Sequence, residues 1–488
     1  MPRGSAAWQA LDEALAPDHE ARQVDAFVDA LDLAALRDRY LGVGSPAHRP
    51  ELMLKLALYE ALRGRLSPRE WHRDLADSTA LRWLGQGIRP SRSALYAFRD
   101  RLGDVLAELH AQVIRRAVAD GLTAADRGVL DGTAVRACAS RHRLLHDERL
   151  GARHGRLEEA LRADAAAEPV ADPPAWMATT PAGRRAQAER FARARCALDG
   201  HLAANRARPK DKRLDPRHVV VSTSDPEAAL GRDKEKVFGP LYTAQWVVDP
   251  DSLLVLAYAV FPQPTDAGTL PTMLDRTRAV TGRSLAAMTT DAGYVSVLDL
   301  RACAARGVTL YAPVPGDDPT APDADGADGG LLGKDRFTWR SDEQTYACPA
   351  GHLLEPKGWE RRRRRGGQEL PVQRFVCPPE HCRACPLQAR CTRRPERGRT
   401  VKRLEGEELL EDHRRRMAAP AAKAAVRRRG AVIERSFGDA KEHRKLRRLH
   451  GRGLRRARAE VGLVVLAQTA VMLRRLRQRQ ATPCETAS

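Results

Sequence analysis

At 488 residues the chain is too long for one ordinary hydrophobic core, so two or three structural units are expected. A formal charge of +20 and a pI near 10.0 point to a polyanionic partner such as nucleic acid and argue against a neutral metabolite. Aromatic residues are only 5%, which argues against single-strand binding built on stacking, and the longest apolar run, Val461 to Leu473, is interrupted by Gln468 and Thr469 and too short to span a bilayer.

No apolar stretch follows Met1-Pro2-Arg3, so a secretory signal is not expected and a cytoplasmic location is. Residues from about 20 to 120 read as helices, and a helical domain is expected over 1–122. The segment Glu51 to Arg63 carries Leu52, Leu56, Tyr59 and Leu62 or their neighbours on one face, and Gly64 stops it. Ser67-Pro68-Arg69-Glu70 combines an N-cap, a proline at N1 and a glutamate at N3, the pattern of a capping box. A third start at Ser91 to Ser93 leads into Leu95, Phe98 and Leu102. Short helices with tight turns resemble a helix-turn-helix, although many helical bundles look the same.

A second region is expected over 123–315. Val129 to Val135 is apolar and β-branched with one acid, Asp131, inside it, although Asp-Gly alone more often marks a turn. A charged, Ala-rich helical insertion occupies about 141–216. Strands are expected at His218 to Ser222, Tyr242 to Val248 and Leu253 to Phe261, with Asp249-Pro250-Asp251 turning an antiparallel hairpin between the last two. A helix fits Leu270 to Thr281, a short strand leads from Ala287 into Asp291-Ala292-Gly293-Tyr294, and Val308 to Val314 is the last core strand.

The segment 316–415 opens with a Pro/Gly/Asp-rich linker, Gly316 to Gly333. Five of the nine cysteines follow between Cys348 and Cys391. In a reducing compartment they read as metal ligands sooner than disulfides. Cys382 and Cys385 form a CxxC, the spacing with which two thiolates hold one tetrahedral zinc, and no thioredoxin-like context accompanies it. Cys348, Cys382, Cys385 and Cys391 are the expected zinc ligands, with Cys377, His352 and His381 as alternatives. The Arg361 to Arg365 run either tracks a phosphate backbone or is a solvated loop.

The segment 416–480 contains GAVIERSFGDAKEHRKLRRLHGRGL from Gly430 to Leu454. Ile433, Phe437, Ala440 and Leu446 form a helical stripe. Glu434 and Lys441 are seven positions apart (441 − 434), ~20° short of two turns, and so share one face of a plain α-helix. A solvated helix carries such charges without purpose. One acid kept between Arg427-Arg428-Arg429 and the bases Arg444, Lys445, Arg447, Arg448 and Arg452 is instead suited to holding a metal against a polyanion.

This last stretch resembles the final catalytic block of the DDE transposases of bacterial insertion sequences, where the glutamate is followed by six residues and a lysine. The family pattern also has a tyrosine and an arginine upstream; here no tyrosine is present, Gly430 stands at the arginine's place and Arg429 is the nearest substitute. Val129 to Val135 resembles the family's first-aspartate block, and Thr290-Asp291-Ala292-Gly293-Tyr294 its second. The text ELMLKLALYEALRGRLSPREWHRDLADSTALRWLG resembles the helical domain often found at the N-terminus of these enzymes, which implies a DNA-end-binding role, with a packing or dimer module as the alternative.

The resemblance implies an α/β fold with a ribonuclease-H-like catalytic core, an N-terminal helical domain and a cysteine-rich, zinc-holding insertion. It implies Asp131, Asp291 and Glu434 as catalytic carboxylates for two Mg²⁺ or Mn²⁺ ions, with Asp131 bridging. Lys441, Arg429, Arg444 and Arg448 are the expected DNA contacts. The implied partners are double-stranded DNA, as element terminal repeats and as target, and further copies of the chain on that DNA, at the bacterial nucleoid and away from membranes. A ribonuclease-H-like nuclease, an inactive or domesticated DNA-binding relative and a zinc-dependent regulator are the rival readings.

Overall fold

The computed structural model describes residues 1–40, 48–208, 210–314, 331–363 and 369–481. In chain order, helices α1 (Ala6–Glu13), α2 (Glu20–Asp29), α3 (Ala34–Asp38), α4 (Pro50–Leu62), α5 (Pro68–Asp77), α6 (Thr79–Leu84), α7 (Arg92–Leu102) and α8 (Val105–Ala119) come first. Strands β1 (Arg127–Arg136) and β2 (Leu144–Leu145) lead into helices α9 (Asp147–Ala165) and α10 (Pro181–Arg206). Then come β3 (Val221–Ser222), β4 (Ala229–Arg232), β5 (Phe238–Val248), β6 (Val255–Phe261), α11 (Leu270–Thr281), β7 (Ala287–Thr289), α12 (Val297–Ala305) and β8 (Thr309–Tyr311). The remainder is β9 (Thr338–Arg340), β10 (Thr345–Ala347), β11 (Glu355–Arg363), β12 (Glu369–Val376), α13 (Pro379–Arg383), α14 (Gln388–Cys391), β13 (Thr400–Leu404), α15 (Glu407–Met417), α16 (Pro420–Gly438) and α17 (Leu454–Ala481). The class is mixed α/β.

Contacts divide the chain into two units that cut across the divisions expected at 122, 315 and 415. The first holds Met1–Asp266, Thr272–Ala286 and Arg429–Ser488; the second holds Ala267–Pro271 and Ala287–Arg428.

In the first unit, β5 is the central strand of an antiparallel sheet. It pairs along one edge with β1 and along the other with β4 and then β6. The β5–β6 hairpin turns at Asp249-Pro250-Asp251, as its sequence predicts. The α5 capping box forms: Ser67 Oγ accepts from the Arg69 amide while Glu70 reaches back to the Ser67 amide, both at 3.3 Å. The apolar run Val461 to Leu473 is the buried face of α17, packed on α4, α7, α8 and β6. Its closest approach needs a glycine, because a Cβ at Gly462 lies 2.7 Å from the Tyr258 hydroxyl oxygen. Helices α9 and α10 bury a core of their own, in which Leu150, Leu157, Phe191 and Leu198 meet and Trp176 stacks on Phe191 at 6.0 Å.

In the second unit, β7 and β8 pair in parallel, and β11, β12 and β13 form an antiparallel sheet over Phe337, Tyr346, Leu354 and Phe375. Trp339, Tyr346 and Phe375 meet edge to face at 4.9–5.7 Å.

Two local expectations are corrected. The strand expected from His218 is a 3₁₀ turn, Pro216–His218, because Asp215 caps it and Pro216 sets its φ; only Val221–Ser222 is strand. Arg361 to Arg363 belong to β11, where pairing with β12 extends the backbone, and are not in a loop. Arg364 and Arg365 lie outside the described residues, as do residues 316–330 of the expected linker. Among the described residues no helix is long and apolar enough to cross a membrane.

Candidate active site

Alternation along β1 sends Asp131 and Gly132 to opposite faces of the first unit's sheet, and their β5 partners Trp246 and Gln245 alternate with them. On the Gly132 face Asp266 approaches closely: a Cβ at Gly132 would lie 1.9 Å from Asp266 Oδ1, which accepts from Gln245 Nε2 at 2.9 Å. The Asp-Gly pair is therefore no turn. Its glycine admits a carboxylate against the strand.

On the Asp131 face lies the C-terminal part of α16. Ile433 and Phe437 are buried there, and the Phe437 ring sits 4.7 Å from that of Trp246. This packing fixes the helix and leaves Glu434 exposed at the mouth of a cavity of about 540 Å³ that Asp131 also lines. Arg429 Nη1 donates to Asp131 Oδ2 at 2.8 Å, and the Gly132 amide donates to Asp131 Oδ1 at 2.7 Å. Both Arg429 and Asp131 keep part of their side chains in solvent.

After Gly438 the helix changes to a π turn, Asp439–His443. The i→i+5 turn breaks the plain α-helical register expected between Glu434 and Lys441, yet Lys441 still lines the same cavity. Burial lowers the Lys441 pKa, and the neighbouring charges of Lys234 and Arg447 lower it further. Sequence reasoning missed the rest of the wall. The turn between β4 and β5 supplies Asp233, Lys234 and Glu235, and Arg136 Nε donates to Asp233 Oδ2 at 2.5 Å. The only signal was a dense run of charges, Arg232 to Lys236, which fits an ordinary solvated turn equally well.

Arg448 is exposed, with one bond to the Ala139 carbonyl at 3.5 Å. Arg444 sits differently. Its side chain is buried, donates to the Leu62 carbonyl and pairs with Asp439 at 3.3 Å. It fastens the π turn to the end of α4.

Asp291 is in the second unit, just beyond β7. Its Oδ1 accepts from the Gly293 amide at 2.8 Å and caps a 3₁₀ turn anchored by the fully buried Tyr294. The same unit contains a cavity of about 610 Å³, not foreseen, lined by Ala292, Asp299, Lys334, Glu407 and Arg414 among others.

The cysteines collect in the second unit's core. Cys377, Cys382 and Cys391 are buried and Cys348 packs beside them. Cys382 Sγ accepts from the Arg399 amide at 3.4 Å. Burial, and then the neighbouring Cys382, push the Cys377 thiol well above the usual range; burial raises Cys391 as well. The His352 and His381 rings stack at 4.2 Å. Among the described residues, however, no three His, Cys, Asp or Glu side chains form a group that would hold a metal ion. The four-cysteine zinc site is therefore not assembled.

Two family models match the chain. One, described as a transposase domain, covers residues 9–101, and one, described as a transposase DDE domain, covers residues 347–473. The second includes Glu434 and Lys441 but neither Asp131 nor Asp291. No curated protein and no solved structure matches the chain.

Proposed function

We propose that this chain, which matches a transposase domain over residues 9–101 and a transposase DDE domain over residues 347–473, is a DDE transposase that cuts the DNA strands at the ends of an insertion sequence and joins them to target DNA. The observation that carries the proposal is the cavity of the first unit. Asp131 from a strand and Glu434 from a helix, 303 positions away (434 − 131), line one opening together with Lys234, Lys441 and Arg447.

The lining residues fit a hard divalent cation. Their donors are carboxylate oxygens, with no thiol or imidazole among them. Asp131 and Glu434 would hold Mg²⁺ or Mn²⁺, and Asp291, at the end of its own strand, is proposed as the third carboxylate. The chemistry such ions would supply, when bound there, is activation of the attacking oxygen and stabilisation of the leaving one. The chain's own residues do the rest. Arg429 pairs with the Asp131 carboxylate, and Lys441, Lys234 and Arg447 offset the charge of an entering phosphate. A water in the first cut, and a 3′-hydroxyl in joining, is the nucleophile that an in-line displacement at phosphorus requires. Zinc in the second unit is supported by five cysteines within one stretch, of which Cys377, Cys382 and Cys391 are buried in one core with Cys348 beside them, and not by an assembled site.

The test is Mg²⁺-dependent nicking of duplex DNA by Asp131→Asn, Asp291→Asn and Glu434→Gln, with binding measured alongside. Each is expected to lose cutting by at least a hundredfold while duplex binding stays within about twofold, since a charged group acting in the transition state is worth roughly 3–4 kcal/mol. Full cutting by Glu434→Gln removes it from the site.

A further inference from the structure

The α9–α10 hairpin has no part in the site just described. Inward it is an ordinary small core. Outward, Arg149 and Arg153 lie one turn apart on α9, and Arg190 and Arg193 lie three positions apart on α10. The hairpin's own ion pairs use other arginines: Arg156 with Glu159, Arg184 with Asp164, and Arg195 with Asp147 and Asp199. Among the described residues none of Arg149, Arg153, Arg190 and Arg193 has a carboxylate within ion-pair distance.

These bases are crowded against one another. Burial, then the charges of Arg149 and Arg143, lower the pKa of Arg153, whose guanidinium lies 5.1 Å over the Trp176 ring. Burial, then Arg452 and Arg193, do the same to Arg190, against a smaller opposing pull from Glu189. Arg452 belongs to the segment that follows the π turn, and it donates to the Cys138 carbonyl at 3.3 Å, as its neighbour Arg448 does to Ala139. Arg448 also lines an open cavity of about 500 Å³ with Arg141 and His142, and that cavity shares Arg136, Asp233 and Glu235 with the one holding Asp131 and Glu434. Like charges held together with few acids between them destabilise the folded chain unless a polyanion neutralises them.

We propose that the α9–α10 hairpin, with Arg448 and Arg452, is a track for the phosphate backbone of duplex DNA leading to the Asp131–Glu434 cavity. This rests on the reading of the chain as a DNA-cutting enzyme. The occupant is duplex DNA because the track offers guanidinium groups at successive helix turns and little aromatic surface for unstacked bases. Side-chain amides that read base edges are not needed along such a track, because phosphate contacts position a duplex without reading its sequence.

The test is binding of linear duplex DNA of arbitrary sequence, without divalent metal, across a salt series. Replacing Arg149, Arg190 and Arg193 together by alanine removes three contacts, so the slope of log affinity against log salt becomes shallower by ~2.7. The triple lysine variant keeps the slope, and the alanine variant's far-UV melting matches wild type, because none of the three side chains belongs to the buried core. Wild-type slope in the alanine variant overturns the proposal and leaves Mg²⁺-dependent nicking to speak for the active site by itself. Poly-glutamate competing as well as DNA overturns the commitment to a duplex. Wild-type protein that binds no duplex at low salt overturns the track, and loss of nicking in the same preparation overturns the enzyme reading with it.

Discussion

Asp131 has an arginine on one carboxylate oxygen and a backbone amide on the other. A divalent cation taking that carboxylate must compete with the Arg429 guanidinium. Arg429→Ala is therefore expected to lower the Mg²⁺ concentration for half-maximal nicking by roughly tenfold, about 1.4 kcal/mol, near the low end for a hydrogen bond to a charged group. A higher Mg²⁺ requirement in a titration would show that Arg429 prepares the carboxylate for the metal. Lys441 differs, because it lines the cavity without an acid partner at ion-pair distance among the described residues. Lys441→Ala should flatten the salt dependence of duplex binding by ~0.9, one phosphate contact, and leave Mg²⁺ binding in place. Lys441→Arg should recover part of the loss, and an unchanged slope would leave Lys441 a surface lysine. That Glu434 and Lys441 lie near one another was legible because their spacing is local, and both line one cavity. The Arg429–Asp131 pair spans 298 positions, and its use of Arg429, where Gly430 takes the place of the expected arginine, was visible only once the strand and helix were together.

At the scale of elements, the sequence was most reliable where a backbone group has a nearby partner. The capping box and the β5–β6 hairpin form with the residues that signalled them, and Ile433, Phe437, Ala440 and Leu446 are all buried, although Ala440 lies in the π turn and Leu446 beyond the helix. The π turn was not legible, since it depends on Arg444 reaching Leu62 and on Gln468 donating to Asp439 at 2.7 Å, contacts far away in sequence. Strand β4 was missed for a related reason: four residues with a glycine carry too little alternation to be seen. Helix α4 contains a different surprise. Glu60 is fully buried; Arg63 approaches one carboxyl oxygen to 3.5 Å, and neither oxygen takes a hydrogen bond. Burial first, and then Asp74, raises its pKa from 4.5 to about 8. Its pKa is higher in the folded than in the unfolded chain, so its contribution to stability is greatest below about pH 4.5 and falls as the pH rises toward 8. Glu60→Gln removes that penalty. Thermal unfolding at pH 5 and pH 8 should show a smaller loss for the variant, and an equal loss would mean that Glu60 ionises freely.

The whole molecule departs furthest from its sequence order. The first unit is assembled from segments far apart in the chain, because α17 and the end of α16 return to pack beside the N-terminal helices and β5. No local pattern announces such a return. The cysteines show the opposite limit: their spacing predicts a four-thiolate zinc site, yet the thiols gather in a core without forming one. Metal analysis decides between the two. With zinc, purified protein carries about one ion per chain, and Cys382→Ser and Cys385→Ser each lower metal content and melting temperature. Metal-free protein of unchanged stability would leave the cysteines as plain core residues. Neither result bears on the Mg²⁺ chemistry of the first unit.

The most direct measurement of the central claim is joining. Labelled duplexes taken from the DNA flanking the coding sequence are incubated with plasmid target, Mg²⁺ and either wild-type protein or Glu434→Ala, and covalently joined product is counted. The account predicts joined product with wild type that disappears without Mg²⁺, and none with a Glu434→Ala protein that still binds the duplex. Joined product at equal yield from Glu434→Ala, or without any divalent metal, would contradict it.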